Sequence, residues 1–574
     1  MQDKERAVLR REYCASFFRG NCLAYGAMLL SAVLFSTLNL AVTWLIQHII
    51  DTVSGVPGSL GLDTLTILTV GLILLIIPLK ALDYISKPRF LKRAMTQFKA
   101  FAFEKLTRKS IASFRSEATG AYLSAFSNDL AAIEANYLEK QHALVFNIVW
   151  ACGAMLLMMA SSLELAAVAI GLCLLPLMAS SVTGARLGRA EKAVSEANAG
   201  FVASLKDILS GFSVIKSFQA EDAAMELLGQ SSASVENAKY RKRKIAVILS
   251  AIGGLAGILA QLGTFLVGAA LALSGHGVTP GVIYIFLDLT GAVITSVREM
   301  PELLANRKAA LGLMDKMTSS LELNIRDEGV DVPNRLNSGI SIRHLNFGYE
   351  PDSEILHDID VDFEAGKSYA IVGSSGSGKT TLLNLLMASR CNYTGTIAFD
   401  GTELRDISSR SLYGLVSMIE QNVFVFDASV RDNITMFRDF EAADVASAIA
   451  LSGLSELIAQ RGDDYLCGEN GKGLSGGEKQ RISIARSLLQ KSSVLLADEA
   501  MAALDAQTAY QVTSDILRLE GVTRIVVTHT LVESLLRQYD GIVVLKDGRV
   551  MERGTFEDLM EKKGYFSALY TVAQ

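Results

Sequence analysis

The sequence predicts a multi-domain membrane protein: an all-α bundle of six spanning helices followed by an α/β domain that carries a phosphate-binding loop. Three observations predict it. Half of the 574 residues are hydrophobic and the mean hydropathy is +0.32, high for a chain wholly in water. Stretches without Asp, Glu, Lys or Arg run from Asn21 to Ile50 and from Ile245 to Leu287. Beyond about Ser341 charges recur throughout, and that half contains Gly373-Ser-Ser-Gly-Ser-Gly378-Lys379-Thr380.

A spanning helix needs about 20 apolar residues to cross roughly 30 Å of hydrocarbon. Six segments qualify: 22–49, 64–86, 143–162, 164–184, 246–273 and 280–299. Their connections alternate in charge. The loop 51–63 and the turns at 161–163 and 274–281 hold no Lys or Arg. The connection after the second span holds Lys87, Arg89, Lys92, Arg93, Lys99, Lys105, Arg108 and Lys109, and that after the fourth holds Arg186, Arg189, Lys192 and Arg241-Lys242-Arg243-Lys244. The positive-inside rule places these basic connections, and both termini, in the cytoplasm. The basic connections are Ala-rich and almost free of Gly and Pro, so they are expected to extend the spans as helical stalks. The expected division is a cytoplasmic N-terminal segment over 1–20, a transmembrane domain over 21–318, a linker over 319–338 and a nucleotide-binding domain over 339–574. No cleavable signal peptide is expected.

Charged groups inside the spans are few. Asp288 sits eight residues into the sixth segment, about 12 Å deep at 1.5 Å per residue. An ionised Asp facing lipid costs about 2.5–3.5 kcal/mol. It is therefore expected to line a substrate cavity, with a helix–helix hydrogen bond as the alternative. Lys80 and Asp83 are expected to pair locally or to snorkel. Asn39, Asn147 and Gln261 are expected to make structural hydrogen bonds. The six cysteines (14, 22, 152, 173, 391, 467) show no CxxC spacing and read as reduced structural thiols. No nucleic-acid partner is expected.

In the second half, Gly373 to Thr380 fits GxxxxGK[ST], with Tyr369-Ala-Ile-Val372 as a strand before it and Thr381-Leu-Leu-Asn-Leu-Leu-Met387 as a helix after it. The N–H groups of Gly373, Ser374, Ser375, Gly376, Ser377 and Gly378 would face the phosphates of a nucleotide, with Thr381 in the same site. The helix adds its positive N-terminus. Lys379 would neutralise the β- and γ-phosphates, and Thr380 would ligate Mg²⁺. A second strand, Val494-Leu-Leu-Ala497, runs into Asp498-Glu499. Asp498 would hold Mg²⁺ and Glu499 would polarise the attacking water as general base.

Between these elements lies Leu474-Ser475-Gly476-Gly477-Glu478-Lys479-Gln480. With the loop before it and the Asp-Glu strand after it, this element resembles the signature of ABC transporter ATPases. The membrane half resembles the six-helix exporter type (type IV fold). Thr119-Gly120, Asn128-Asp129 and Gly211-Phe-Ser-Val-Ile215-Lys216-Ser-Phe218 look like its intracellular-loop patterns. The resemblance implies a fold class of six-helix transmembrane domain plus α/β P-loop ATPase domain, with ATP and Mg²⁺ as cofactors. It implies that Tyr349 stacks on adenine. Gln421 would sense Mg²⁺ and γ-phosphate, and His529 would contact γ-phosphate. Asp505 would signal across a dimer. Gly468-Glu469 would form the X-loop. It further implies that Ser475, Gly476 and Gly477 close on ATP held by a second half-transporter subunit, a homodimer being favoured over a heterodimer. The sequence departs from the pattern at Glu420, where Pro is common, at Ala497 and Ala502, and at Asn470, which puts domain coupling in question. The activity implied is ATP-driven export of an amphipathic small molecule, lipid or peptide through a lipid bilayer. The alternatives are uptake of a siderophore- or haem-like chelate on the same architecture, and a membrane-anchored ATPase that regulates or assembles without transport.

Overall fold

The computed structural model describes residues 2–117, 119–322, 329–350 and 353–573. Two compact units emerge: residues 1–103 with 123–320, and residues 104–122 with 321–574. Part of the expected linker, 323–328, lies outside the described residues.

The first unit is helical because its apolar stretches must satisfy their backbone internally in lipid. After α1 (Gln2–Phe18), the apolar runs form α2 (Cys22–Val53) and α3 (Leu62–Thr107). The next segment breaks into short turns: α4 (Ile111–Arg115), α5 (Thr119–Ser124) and α6 (Leu130–Ile133), with wider π-type turns at Ala125–Asp129 and Glu134–Leu138. Then come α7 (Lys140–Ser161), α8 (Leu163–Ser210), α9 (Phe212–Ser217), α10 (Glu221–Leu273) and α11 (Pro280–Glu322). Five helices among the described residues are long and apolar enough to span a membrane. The remaining expected span lies in α8, whose described apolar part is Leu163–Leu174. The 53 residues of α10 extend about 80 Å at 1.5 Å per residue, far beyond the hydrocarbon core. The stalk expectation follows from that length.

Small residues let these helices approach. Ala154 and Met158 of α7, Ala169 of α8 and Ile285, Phe286 and Leu289 of α11 are buried in one cluster. Phe17 of α1 stacks on Phe98 of α3 with centroids 4.3 Å apart. The polar groups differ from expectation in one case. Lys80 and Asp83 do not pair: the Lys80 ammonium lies 4.0 Å over the Phe35 ring, and Asp83 meets His142 Nε2 at 3.4 Å and the Ser31 hydroxyl at 3.3 Å. One helical turn of separation brings both side chains to different neighbours on α2 and α7. Asn39 bonds its own helix at Phe35 O, 2.7 Å away, and Asn147 donates to Glu299 at 3.1 Å. Asp288 accepts from the Thr43 hydroxyl at 2.6 Å, the helix–helix bond weighed against a cavity role, yet it remains exposed in the single chain.

The second unit holds two sheets. The smaller is antiparallel, in the order β2-β1-β4-β5, from β1 (Gly339–Glu350), β2 (Ser353–Glu364), β4 (Thr394–Phe399) and β5 (Thr402–Glu403). The larger runs β10-β9-β3-β8-β7-β6, from β3 (Ser368–Gly373), β6 (Val416–Ile419), β7 (Val494–Asp498), β8 (Thr523–Val527), β9 (Gly541–Lys546) and β10 (Arg549–Gly554). Only β10 is antiparallel to its neighbour there. Strands β3, β7 and β8 are buried at every residue, as central parallel strands covered on both faces must be. Among the helices, α12 (Lys379–Leu386) follows β3 and α13 (Ser409–Leu415) precedes β6. A helical layer of α14 (Val430–Thr435), α15 (Ala442–Leu451), α16 (Ser455–Arg461) and α17 (Gly476–Leu489) packs around Val430, Ile434, Leu457, Ile482 and Ala485. α18 (Ala506–Leu517) follows β7.

Candidate active site

The strand order decides where chemistry can gather. In a parallel sheet, loops at the carboxyl ends of neighbouring strands form one crevice. Here β3, β8, β7 and β6 lie side by side. β3 delivers the glycine-rich loop, β8 delivers His529, β7 ends on Asp498 and β6 leads to Gln421. Gly376, Gly378, Lys379, Thr380, Gln421, Glu499 and His529 line one cavity of about 390 Å³.

Glycine is required in the loop at two places. At Gly373 a Cβ would stand 2.1 Å from the Leu545 carbonyl oxygen. Gly378 has φ +97°, and its Cβ would meet the Leu356 side chain at 2.5 Å. Lys379 Nζ donates to the Gly373 and Ser374 carbonyls at 3.1 and 2.8 Å. Burial depresses its ammonium pKa, against the raising influence of Glu499 and Asp498. The Ser377 hydroxyl is buried in the loop without a partner. A buried donor of that kind, beside a desolvated lysine at a helix N-terminus, fits an anionic phosphate.

Across the crevice Thr380 Oγ1 donates to Asp498 Oδ1 at 3.0 Å. Burial pushes the Asp498 carboxyl above the usual aspartate range, opposed by that hydrogen bond and reinforced by neighbouring Glu499. A hydroxyl and a carboxylate in contact form the hard oxygen donor set that Mg²⁺ takes. Glu499 stands in a left-handed backbone conformation, φ +48°, the kind of strain stored at functional turns. Its two oxygens are held separately: Gln421 Nε2 lies 2.8 Å from Oε2, and His529 Nε2 lies 2.7 Å from Oε1. Tyr349 is exposed, with its hydroxyl 3.4 Å from Thr381 Oγ1.

Four expected residues stand elsewhere. Ser475 caps α17 in a reciprocal box with Glu478, its N–H donating to Glu478 Oε2 at 2.6 Å. Burial raises the Glu478 carboxyl, but the Ser475 backbone and hydroxyl bonds outweigh it and hold it below the usual range. Asp505 caps α18 by accepting the Thr508 N–H at 3.0 Å. The signature and this cap are packed together, since a Cβ on Gly477 would lie 3.0 Å from the Ala503 carbonyl. None of Ser475, Gly476, Gly477 and Asp505 lines the 390 Å³ cavity.

Sequence reasoning missed the surroundings of Gln421. Arg115 of α4 reaches Glu420 at 3.4 Å and Asn384 at 3.4 Å, and the Ile111 N–H donates to the Tyr413 hydroxyl at 3.0 Å. Glu420, the residue standing where Pro is common, thus holds α4 next to Gln421. Gln480 of α17 donates to the Glu420 carbonyl at 3.4 Å, joining the same point to the signature helix. Only the departure at Glu420 signalled this; its partner lies 305 positions away.

Two family profiles match the chain: the ABC transporter transmembrane region over residues 25–297 and the ABC transporter over residues 356–502. The chain is 30% identical to the β-(1→2)glucan export ATP-binding/permease protein NdvA of Agrobacterium fabrum, over 72% of this chain and 71% of that one. This chain is an ABC transporter subunit of the exporter type. The exporter is likewise similar to an ATP-dependent lipid A-core flippase of Desulfotalea psychrophila, 29% identical over 83% of this chain and 84% of that one. Its fold matches a bacterial Atm1-family ABC exporter solved with ATP bound, with a TM-score of 0.81 and 23% identity over 97% of this chain and 98% of that one. It is an integral membrane ATPase that binds ATP and couples its hydrolysis to export, and the half-transporter architecture works as a dimer. These relatives do not favour the uptake alternative.

Proposed function

We propose that the exporter works as a homodimer that moves an amphipathic molecule, a lipid or a peptide across the cytoplasmic membrane, with its termini and ATPase domain in the cytoplasm. The relatives named for a glucan and for a lipid A core support a large or amphipathic substrate. The proposed domains are 1–20, 21–318, 319–338 and 339–574, as the sequence reading divides them.

One observation carries the catalytic reading: Glu499 is gripped by both His529 and Gln421 beside the phosphate loop, while Ser475, Gly476 and Gly477 lie outside that cavity. Each chain would then offer half of two sites. Residues 373–381 would bind the phosphates, with Lys379 on the β- and γ-phosphates and Tyr349 against adenine. Thr380, Asp498 and Gln421 would hold Mg²⁺, which supplies charge neutralisation on the phosphates. Glu499 would take the proton of the attacking water, and His529 would orient Glu499 and meet γ-phosphate. Ser475, Gly476 and Gly477 of the second subunit would close on the same phosphate, with Asp505 relaying closure. ATP binds the closed state better than the open one, and that difference drives the stroke.

Glu499→Gln tests the assignment. The variant keeps the side chain's size and one acceptor oxygen, turns the other into an amide donor, and cannot act as a base. It should bind ATP, accumulate as a closed dimer and lose nearly all hydrolysis, about 10²–10⁴-fold for a lost general base. Closure is read by nucleotide retention on size exclusion and hydrolysis by phosphate release. Turnover at the parental rate rejects Glu499 as the base.

A further inference from the structure

The membrane unit contains a cavity of about 320 Å³ between α2, α3, α7 and α11, at the lower end of the roughly 300–1,000 Å³ range of ligand pockets. Its walls combine Phe35, Phe146 and Trp150 with Lys80, Asp83 and Glu299. Phe146 lies 5.4 Å from Trp150 and 6.2 Å from Phe35, so the rings form a continuous aromatic wall.

The charges do not cancel. Lys80 and Asp83 offset each other in sign, and Asp83 is held by His142 and Ser31. Glu299 has only the neutral Asn147 amide at 3.1 Å, itself steadied by the Ser296 hydroxyl at 3.4 Å; among the described residues no cation pairs with it. Glu299 closes the inner end of the sixth apolar segment, and a carboxylate that lines an aromatic-walled cavity with only a neutral amide as partner is open to a ligand. The Lys80 ammonium lies 4.0 Å over Phe35, so one ring face of this wall already takes up a positive nitrogen. Glu299 and Asp288 are eleven residues apart on α11, three turns and about 16 Å, and so share one face of the helix. Both are exposed in the single chain.

We propose that this cavity is the headgroup site for an amphiphile bearing an organic cation, with Glu299 as counter-ion and Phe146 and Trp150 as the aromatic faces. Asp288 provides a second acceptor three turns along the same helix face. This inference rests on the export reading and narrows its substrate.

The test uses the full chain in lipid nanodiscs with Trp44→Phe, which leaves Trp150 as the single tryptophan of the two in the sequence. Dodecyltrimethylammonium, dodecanol and dodecyl sulfate are titrated below micelle formation while Trp150 fluorescence is followed. The cation should shift the emission saturably, and the neutral and anionic chains should not. Glu299→Gln and, as a second and independent variant, Phe146→Leu should each weaken the cation's response at least tenfold. A saturable response to dodecyl sulfate would assign the site to anions through Lys80 and overturn the inference. Equal responses to all three probes, or none, would overturn it as well. Nucleotide trapping by Glu499→Gln and cation accumulation in inside-out proteoliposomes are measured in parallel. Loss of cation binding with intact trapping sinks only the headgroup site. Intact binding without accumulation sinks the export reading and leaves the site standing.

Discussion

At the scale of single residues, the ATPase crevice trades stability for function. Asp498 is buried beside Glu499, and its carboxyl is pushed above the usual aspartate range. A raised folded-state pKa means that its contribution is fully present below the ordinary value of about 3.9 and is lost as pH rises through the folded value. The isosteric neutral variant Asp498→Asn escapes that loss. Its ATPase unit should therefore melt higher than the parent at pH 7.5, by roughly 2–4 °C for each 1 kcal/mol recovered. The gain should shrink as pH falls toward 4.5. Scanning fluorimetry without nucleotide across that range checks it, and a gain that is flat with pH refutes the burial account. The same variant should lose hydrolysis if, as proposed, the carboxylate that destabilises the fold is also the one that holds Mg²⁺.

Elements set the second scale. α4 is five residues long and could not persist alone, since isolated helices shorter than about 12–15 residues are marginal in water. Its Ser110 cap, the Ile111–Tyr413 bond and the Arg115–Glu420 pair hold it in the ATPase unit, beside the loop that carries Gln421. Arg115 and Glu420 are both about half exposed, so their pair is worth only about 0.2–1 kcal/mol. Its value lies in position. Arg115→Glu and Glu420→Arg should each uncouple ligand-stimulated ATPase from transport, and the double exchange should restore part of the coupling. The interaction energy amounts to about 1.4–5-fold in rate. A double exchange no better than the worse single variant would show that the pair does not carry coupling.

On the scale of the whole molecule, a single chain holds a phosphate loop beside Asp498, Glu499 and His529, while Ser475, Gly476 and Gly477 lie outside the cavity that loop lines. ATP would complete the arrangement only with a second chain. Cysteines at Ser375 and Ser475, in a background freed of the six native cysteines, should cross-link between subunits when ATP is present and Glu499 is Gln. The band should fade without nucleotide. Cross-links formed equally with and without ATP would exclude nucleotide-driven closure. Mixed dimers of one intact and one Glu499→Gln chain would then report whether the two sites fire independently.

The sequence by itself determined what depends on local pattern and hydrophobic length. Apolar runs must become helices in lipid, a glycine-rich loop between strand and helix suits an anion, and Asp498-Glu499 stands at the end of an apolar strand. Family likeness then named Gln421 and His529. Only the tertiary structure decided which side chains meet across long separations. It paired Glu420 with Arg115 and Asp83 with His142, gave Lys80 an aromatic ring instead of Asp83, and left Glu299 in a cavity wall with no cation paired to it among the described residues. Such contacts arise from helix packing and strand order, which bring distant residues within a few ångströms. No residue-to-residue spacing along the chain encodes them.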